Sequence, residues 1–119
     1  MIQTLIALFL CGLLAEPELA QRGIEQRKIE YLISAVAELH DATFIRNGSE
    51  YDSRQAAKHL RSKLGYAGSR VKTAEDFITW CATGSSLSSE KYRIRFSDGR
   101  VRDTADYLRD KLARYEMAH

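Results

Sequence analysis

Four arginines crowd one short stretch near the C-terminal end of this sequence. Arg93 and Arg95 precede an Asp98-Gly99 pair, and Arg100 and Arg102 follow it. Asp-Gly between alternating apolar residues signals a two-residue hairpin turn, because both central positions favour positive φ. That turn pairs Ser97 with Arg100, Phe96 with Val101, and Arg95 with Arg102. Strand alternation then puts Tyr92, Ile94, Phe96 and Val101 on one face and the four arginines on the other. Each guanidinium is a planar fork suited to a carboxylate or phosphate, so the face is a candidate binding site for an anionic partner. Arg95 opposite Arg102 sets like charges across a strand pair, at a cost in stability. The competing expectation is internal pairing with the nearby Asp103, Asp106 and Asp110, or a solvated edge that resists aggregation. Arg46 and Tyr51, on either side of Asn47-Gly48, make a second and smaller candidate recognition surface.

Other chemistries find less support. His40, His59 and His119 show no short spacing with one another, so neither a metal set nor a cofactor is expected. Cys81 falls on an apolar helix face and reads as a small buried hydrophobe rather than a nucleophile partnered by His59. Ser85, Ser86, Ser88 and Ser89 follow Gly84 without the second glycine of a nucleophile elbow, and no phosphate loop is present. Tyr66 and Trp80 read as core or core edge. An enzyme is therefore the lesser reading. A concave pocket with convergent titratable groups would mark one, whereas a flat or ridged patch would mark a binding module. A formal net charge of +2 is too small for a dedicated nucleic-acid binder.

The elements that position these groups follow from periodicity. At 119 residues the chain holds one domain. An apolar run, Leu5 to Ala15, is too short to span a bilayer and has the length of a signal-peptide core. Residues 1–20 are thus expected as a cleaved signal peptide, with Ala15 as an alternative cleavage point, and 21–119 as the mature domain without a membrane span. Loss of Glu16 and Glu18, with no basic residue, moves the formal charge from +2 to +4. Cys11 belongs to the apolar run, since Leu10 before it is bulkier than a lipoprotein site allows.

Gln21 to about Leu39 reads as a helix with Ile29, Leu32, Ile33, Val36 and Leu39 buried. Glu25, Arg27, Lys28, Glu30 and Glu38 form its solvated face. The stretch from Phe44 to Phe77 organises the rest. Asn47-Gly48 closes a type I′ hairpin pairing Arg46 with Ser49, Ile45 with Glu50, and Phe44 with Tyr51. Asp52 or Ser53 caps a helix that carries Ala56, Ala57, Leu60, Leu64 and Ala67 on one face. Thr73, with Asp76 three residues on, starts another helix with Ala74, Phe77, Ile78 and Cys81 inward. Thr83 to Ser89 is a loop by composition. After the second hairpin, Asp103 or Thr104 caps a last helix with Ala105, Leu108, Leu112 and Tyr115 inward. The expectation is a helix-rich α+β domain of about four helices and two short β-hairpins. The hairpins either merge into one small antiparallel sheet or lie separately on the helices.

The segments FIRNGSEY, AAKHLRSKLGYAGSRVKTAEDFI, the SSLS loop, KYRIRFSDG and the closing helix together resemble the YfeK-like family of small exported bacterial proteins. The resemblance runs in order over nearly the whole of residues 21–119. It implies export in a Gram-negative bacterium to the periplasm, and brings no activity, cofactor or catalytic residue. The resulting expectation is a periplasmic binding or interaction module whose partner is an anionic envelope component or a protein. The alternative is a hydrolase or transferase acting on an envelope polymer.

Overall fold

In the computed structural model, residues 2–85 and 87–119 are described, with side chains from residue 17 onward. Helix α1 (Ile2–Ala37) is followed by β1 (Thr43–Arg46), β2 (Ser49–Tyr51) and α2 (Ser53–Ala67). A single 3₁₀ turn (Gly68–Arg70) leads to α3 (Ala74–Phe77), which continues as a π turn over Ile78–Ala82. Strands β3 (Arg93–Arg95) and β4 (Val101–Asp103) precede the closing helix α4 (Thr104–Ala118). The fold is the expected α+β class. Helix α1 ends two residues before Leu39, which is half-buried beyond it. The apolar run from Leu5 to Ala15 lies where side chains are outside the described residues.

The two hairpins do merge. They form one antiparallel sheet in the order β2-β1-β3-β4, with Phe44 opposite Ile94 at the central seam. In the first hairpin Asn47 and Gly48 both have positive φ, 52° and 77°, and the pairing is the one expected. Both capping boxes form as well: Asp52 with Gln55, and Thr73 with Asp76.

The second hairpin differs from expectation by one residue. Phe96 donates its amide to the Arg100 carbonyl at 2.8 Å, and Gly99 donates to the Phe96 carbonyl at 2.9 Å. The loop is therefore Ser97-Asp98-Gly99, a three-residue turn with Gly99 at φ 90°. Ile94 pairs with Arg102 and Arg95 with Val101. A slip of one residue exchanges the faces. Arg93 and Arg95 stay on the outer face, where Val101 joins them and is exposed, while Arg102 moves to the helix side with Ile94. The four-arginine face and the Arg95–Arg102 repulsion do not form.

One side of the sheet sets Phe44 and Ile94 against the helices. The core gathers Leu32, Ile33 and Val36 of α1, Leu60 of α2, Phe77, Ile78 and Cys81 of the α3 turn, and Leu108 of α4. Cys81 is buried, as its position on the apolar face predicts. Three residues depart from expectation. Glu25, placed on the solvated face by periodicity, is only 7% exposed. Tyr66 and Trp80, expected at the core or its edge, are 91% and 51% exposed. Each sits on the far side of its helical turn from the buried stripe, Tyr66 away from Ala57 and Leu60, Trp80 away from Ile78 and Ala82. Arg70 covers part of Trp80, its guanidinium carbon 5.5 Å from the ring centroid.

Candidate functional site

A cavity opens where α2 crosses the first hairpin. Asp52 fixes the start of α2 immediately after β2: its Oδ1 accepts from the Gln55 amide at 2.8 Å, and Gln55 Oε1 accepts from the Asp52 amide at 3.0 Å. Because helix neighbours recur at four-residue steps, Gln55, His59 and Lys63 then run along one side of the helix. Alternation along β1 puts Arg46 on the same sheet face as Phe44, toward α2. Those two periodicities bring Arg46 and His59 together.

Arg46 Nη1 donates to His59 Nδ1 at 2.8 Å, the shorter of its two approaches to that ring. A guanidinium only donates, so Nδ1 is the unprotonated nitrogen and Nε2 carries the hydrogen. Nε2 lies 3.4 Å from the hydroxyl of Tyr92, which also accepts from Lys63 Nζ at 3.1 Å. Lys63 reaches on to the Gly84 carbonyl at 3.3 Å. The chain of contacts is thus Arg46 to His59 to Tyr92 to Lys63, without a carboxylate. Burial, and then the charges of Arg46 and Lys63, hold the His59 pKa below its ordinary value. His59 is accordingly neutral at neutral pH.

The cavity has a volume of about 360 Å³, toward the small end of ligand cavities, which run roughly 300–1,000 Å³. Its floor is Phe44, Leu60, Tyr92 and Thr104, all buried. Half-buried Arg46, Tyr51 and His59 form the wall, with the Arg46 guanidinium carbon 5.9 Å from the Tyr51 ring centroid. Exposed Gln55, Lys58 and Arg93 complete the rim. No lining residue is acidic. At the floor, Thr104 is 4% exposed and its Oγ1 has no hydrogen-bond partner among the described residues.

Of the six residues singled out from sequence, Arg46, Tyr51 and Arg93 line this cavity. Arg95, Arg100 and Arg102 do not, and the arginines of the second hairpin each meet an acid inside the domain. Arg93 lies 3.6 Å from Asp103, Arg100 lies 2.7 Å from Asp98, and Arg102 lies 2.8 Å from Asp110. Arg95 pairs with Glu50 across the sheet. Sequence reasoning weighed His59 only as a metal ligand or a partner of Cys81, took Tyr92 as core and Thr104 as a possible cap, and passed over Lys58. The four-residue spacing of Gln55, His59 and Lys63 was the available signal, but which strand faces that stripe is a tertiary fact. Among the described residues no three of His, Cys, Asp and Glu gather as a metal set, and no helix is long and apolar enough to cross a membrane.

A family profile described as a family of unknown function, DUF5329, matches residues 24–116. The "Uncharacterized protein YfeK" of Salmonella typhimurium strain LT2 is 40% identical over 68 residues, covering 57% of this chain and 57% of that protein. The matched stretch thus spans little more than half the length of that relative. No solved structure matches.

Proposed function

This chain belongs to the DUF5329 family, whose function is unknown, and on that footing we propose an exported binding module of the bacterial cell envelope. It takes an anionic group into the cavity between α2 and the sheet. The observation that carries the binding reading is the lining: Arg46 and Lys58 supply positive charge, and no lining residue is acidic. An anion entering there gains charge-assisted hydrogen bonds without displacing an internal carboxylate from Arg46. Export is supported by the apolar run at Leu5–Ala15 and by the resemblance to small exported proteins.

Two measurements test this. Mass spectrometry of the protein from its host should find a chain beginning near Gln21 or Glu16, and intact Met1 in a cytoplasmic fraction would refute export. Titration with acetate, followed by amide chemical shifts, should perturb Arg46, Gln55 and His59 in a saturable way that Arg46→Gln removes. Shifts scattered over the surface, or unchanged in Arg46→Gln, would refute the anion site.

One observation favours a second reading, a hydrolase or transferase acting on an envelope polymer. His59, Lys63 and Tyr92 converge beside a concave cavity, the form an enzyme needs. Under that reading His59 is the base, and His59→Gln abolishes turnover of an envelope polymer while acetate still binds.

A further inference from the structure

The hydrogen bond between Arg46 and His59 joins the two groups best placed to meet an anion, and it holds only while His59 is neutral. We infer that a carboxylate entering the cavity replaces that bond with a bridge, one oxygen on the Arg46 guanidinium and the other on the His59 imidazolium, so that each binding event takes up one proton. This rests on the proposed anion site and gives it a second cation, completed by the proton.

The donor pattern carries the inference. Arg46 Nη1 donates to Nδ1 at 2.8 Å, while Nε2 lies 3.4 Å from the Tyr92 hydroxyl and already carries the ring hydrogen. An added proton therefore goes to Nδ1 and turns the acceptor that meets Arg46 into a donor. Two cationic donors then oppose each other, and their half-buried setting screens the repulsion less than water would. A carboxylate has two acceptor oxygens and one negative charge, so it accepts from both sides and offsets the repulsion. Both side chains line the cavity, which gives the carboxylate its way in.

The surroundings provide no internal substitute. Around the ring stand Lys58 and Lys63 from α2, Arg46 from β1, Tyr51 from β2, and Tyr92 and Arg93 from the β3 side. Among the described residues, the one acid that pairs with any of these cations is Asp103, 3.6 Å from Arg93. Without a ligand, burial and the charges of Arg46 and Lys63 keep the ring neutral. A bound carboxylate counters those charges, so anion and proton each favour the other, and the coupling is reciprocal.

The probe is acetate, which is ionised at both about pH 6 and about pH 8. Dissociation constants come from the amide shifts of the protein purified from its host, at constant ionic strength. Acetate should bind about tenfold more tightly at the lower pH. His59→Gln should bind it with one affinity at both, and Arg46→Gln should lose binding at both. A second measurement needs no variant: near neutral pH, acetate should move the His59 ring resonances of the wild type toward their protonated positions. If the wild type binds equally at both pH values, if the pH dependence survives in His59→Gln, or if the ring resonances stay in place, the proton-coupled bridge fails while the anion site stands. If no saturable binding occurs, or Arg46→Gln changes nothing, both fail.

Discussion

The Glu25 carboxylate of α1 accepts a hydrogen bond at 2.9 Å from the backbone amide of Ala74, the first residue of α3. The two are 49 residues apart, and the bond is buried. Its other oxygen meets Gln21 Nε2 at 3.3 Å and Lys28 Nζ at 3.0 Å. Lys28 extends the network to Glu116 of α4 at 2.8 Å. A negative charge at the amide end of α3 is favourable, and here it is supplied by another helix. Glu25 thereby joins α1, α3 and α4 at one point.

Glu25→Ala is expected to lower stability by about 1–3 kcal/mol, because it strands the buried amide of Ala74 and leaves Lys28 with Glu116 as its one remaining carboxylate among the described residues. Glu25→Gln keeps an acceptor for Ala74 and should cost less. Urea midpoints of both variants, at unchanged slope, measure this. A midpoint equal to wild type for Glu25→Ala would mean that water replaces the carboxylate.

Gly48→Val should cost on the order of 1–2 kcal/mol. Gly48 has φ 77°, and an added Cβ meets nothing within 4 Å, so the cost is backbone strain rather than collision. Urea denaturation of the variant provides the measurement. An unchanged midpoint would show that the type I′ turn is dispensable.

The pH dependence follows from His59, whose value is lowered by burial first and by Arg46 and Lys63 next. The unfolded chain takes up this proton more readily than the folded one. The stability that neutral His59 contributes is therefore complete above its ordinary value of 6.5 and is lost as pH falls through the lower folded value. His59→Gln should flatten that part of the stability curve. The ring resonances of His59 should titrate below 6.5 in the wild type, and a carboxylate bound at Arg46 should move that midpoint up. A midpoint at or above 6.5 without ligand would contradict the buried contact with Arg46.

Cys81 should be inert in the folded protein. Its side chain is fully buried, and burial raises the thiol pKa against a smaller opposing pull from Lys63. Alkylation by iodoacetamide should be slower than for a free thiol by on the order of a thousandfold or more, and should follow unfolding. Rapid labelling under native conditions would place Cys81 at an accessible surface.

Much of the architecture is local and was legible for that reason. Asn47-Gly48 specifies its turn because few residue pairs tolerate two positive φ values, and Asp52 and Thr73 start their helices through hydrogen bonds three residues away. The buried stripe of Ile29, Leu32, Ile33 and Val36 follows from helical period alone. Asp98-Gly99 misled because the same dipeptide serves two turns: Gly99 accepts the left-handed conformation at the end of a three-residue loop as readily as within a two-residue one. That one-residue difference moved Arg102 to the helix side and Val101 to the outside, and a four-arginine face became separate internal ion pairs.

By sequence alone the chain determined the α+β class, the turn at Asn47-Gly48, the starts of α2, α3 and α4, and most of the buried stripe of each helix, since these depend on backbone preferences and on neighbours three or four residues away. Only the tertiary structure decided that Glu25 is buried, that the two hairpins form a single sheet, and that Arg46, His59, Tyr92 and Thr104 surround one cavity. Those outcomes depend on which side chains meet across α1, α2, β1 and β3, and such contacts are chosen by the packing of the whole core rather than by any stretch within it.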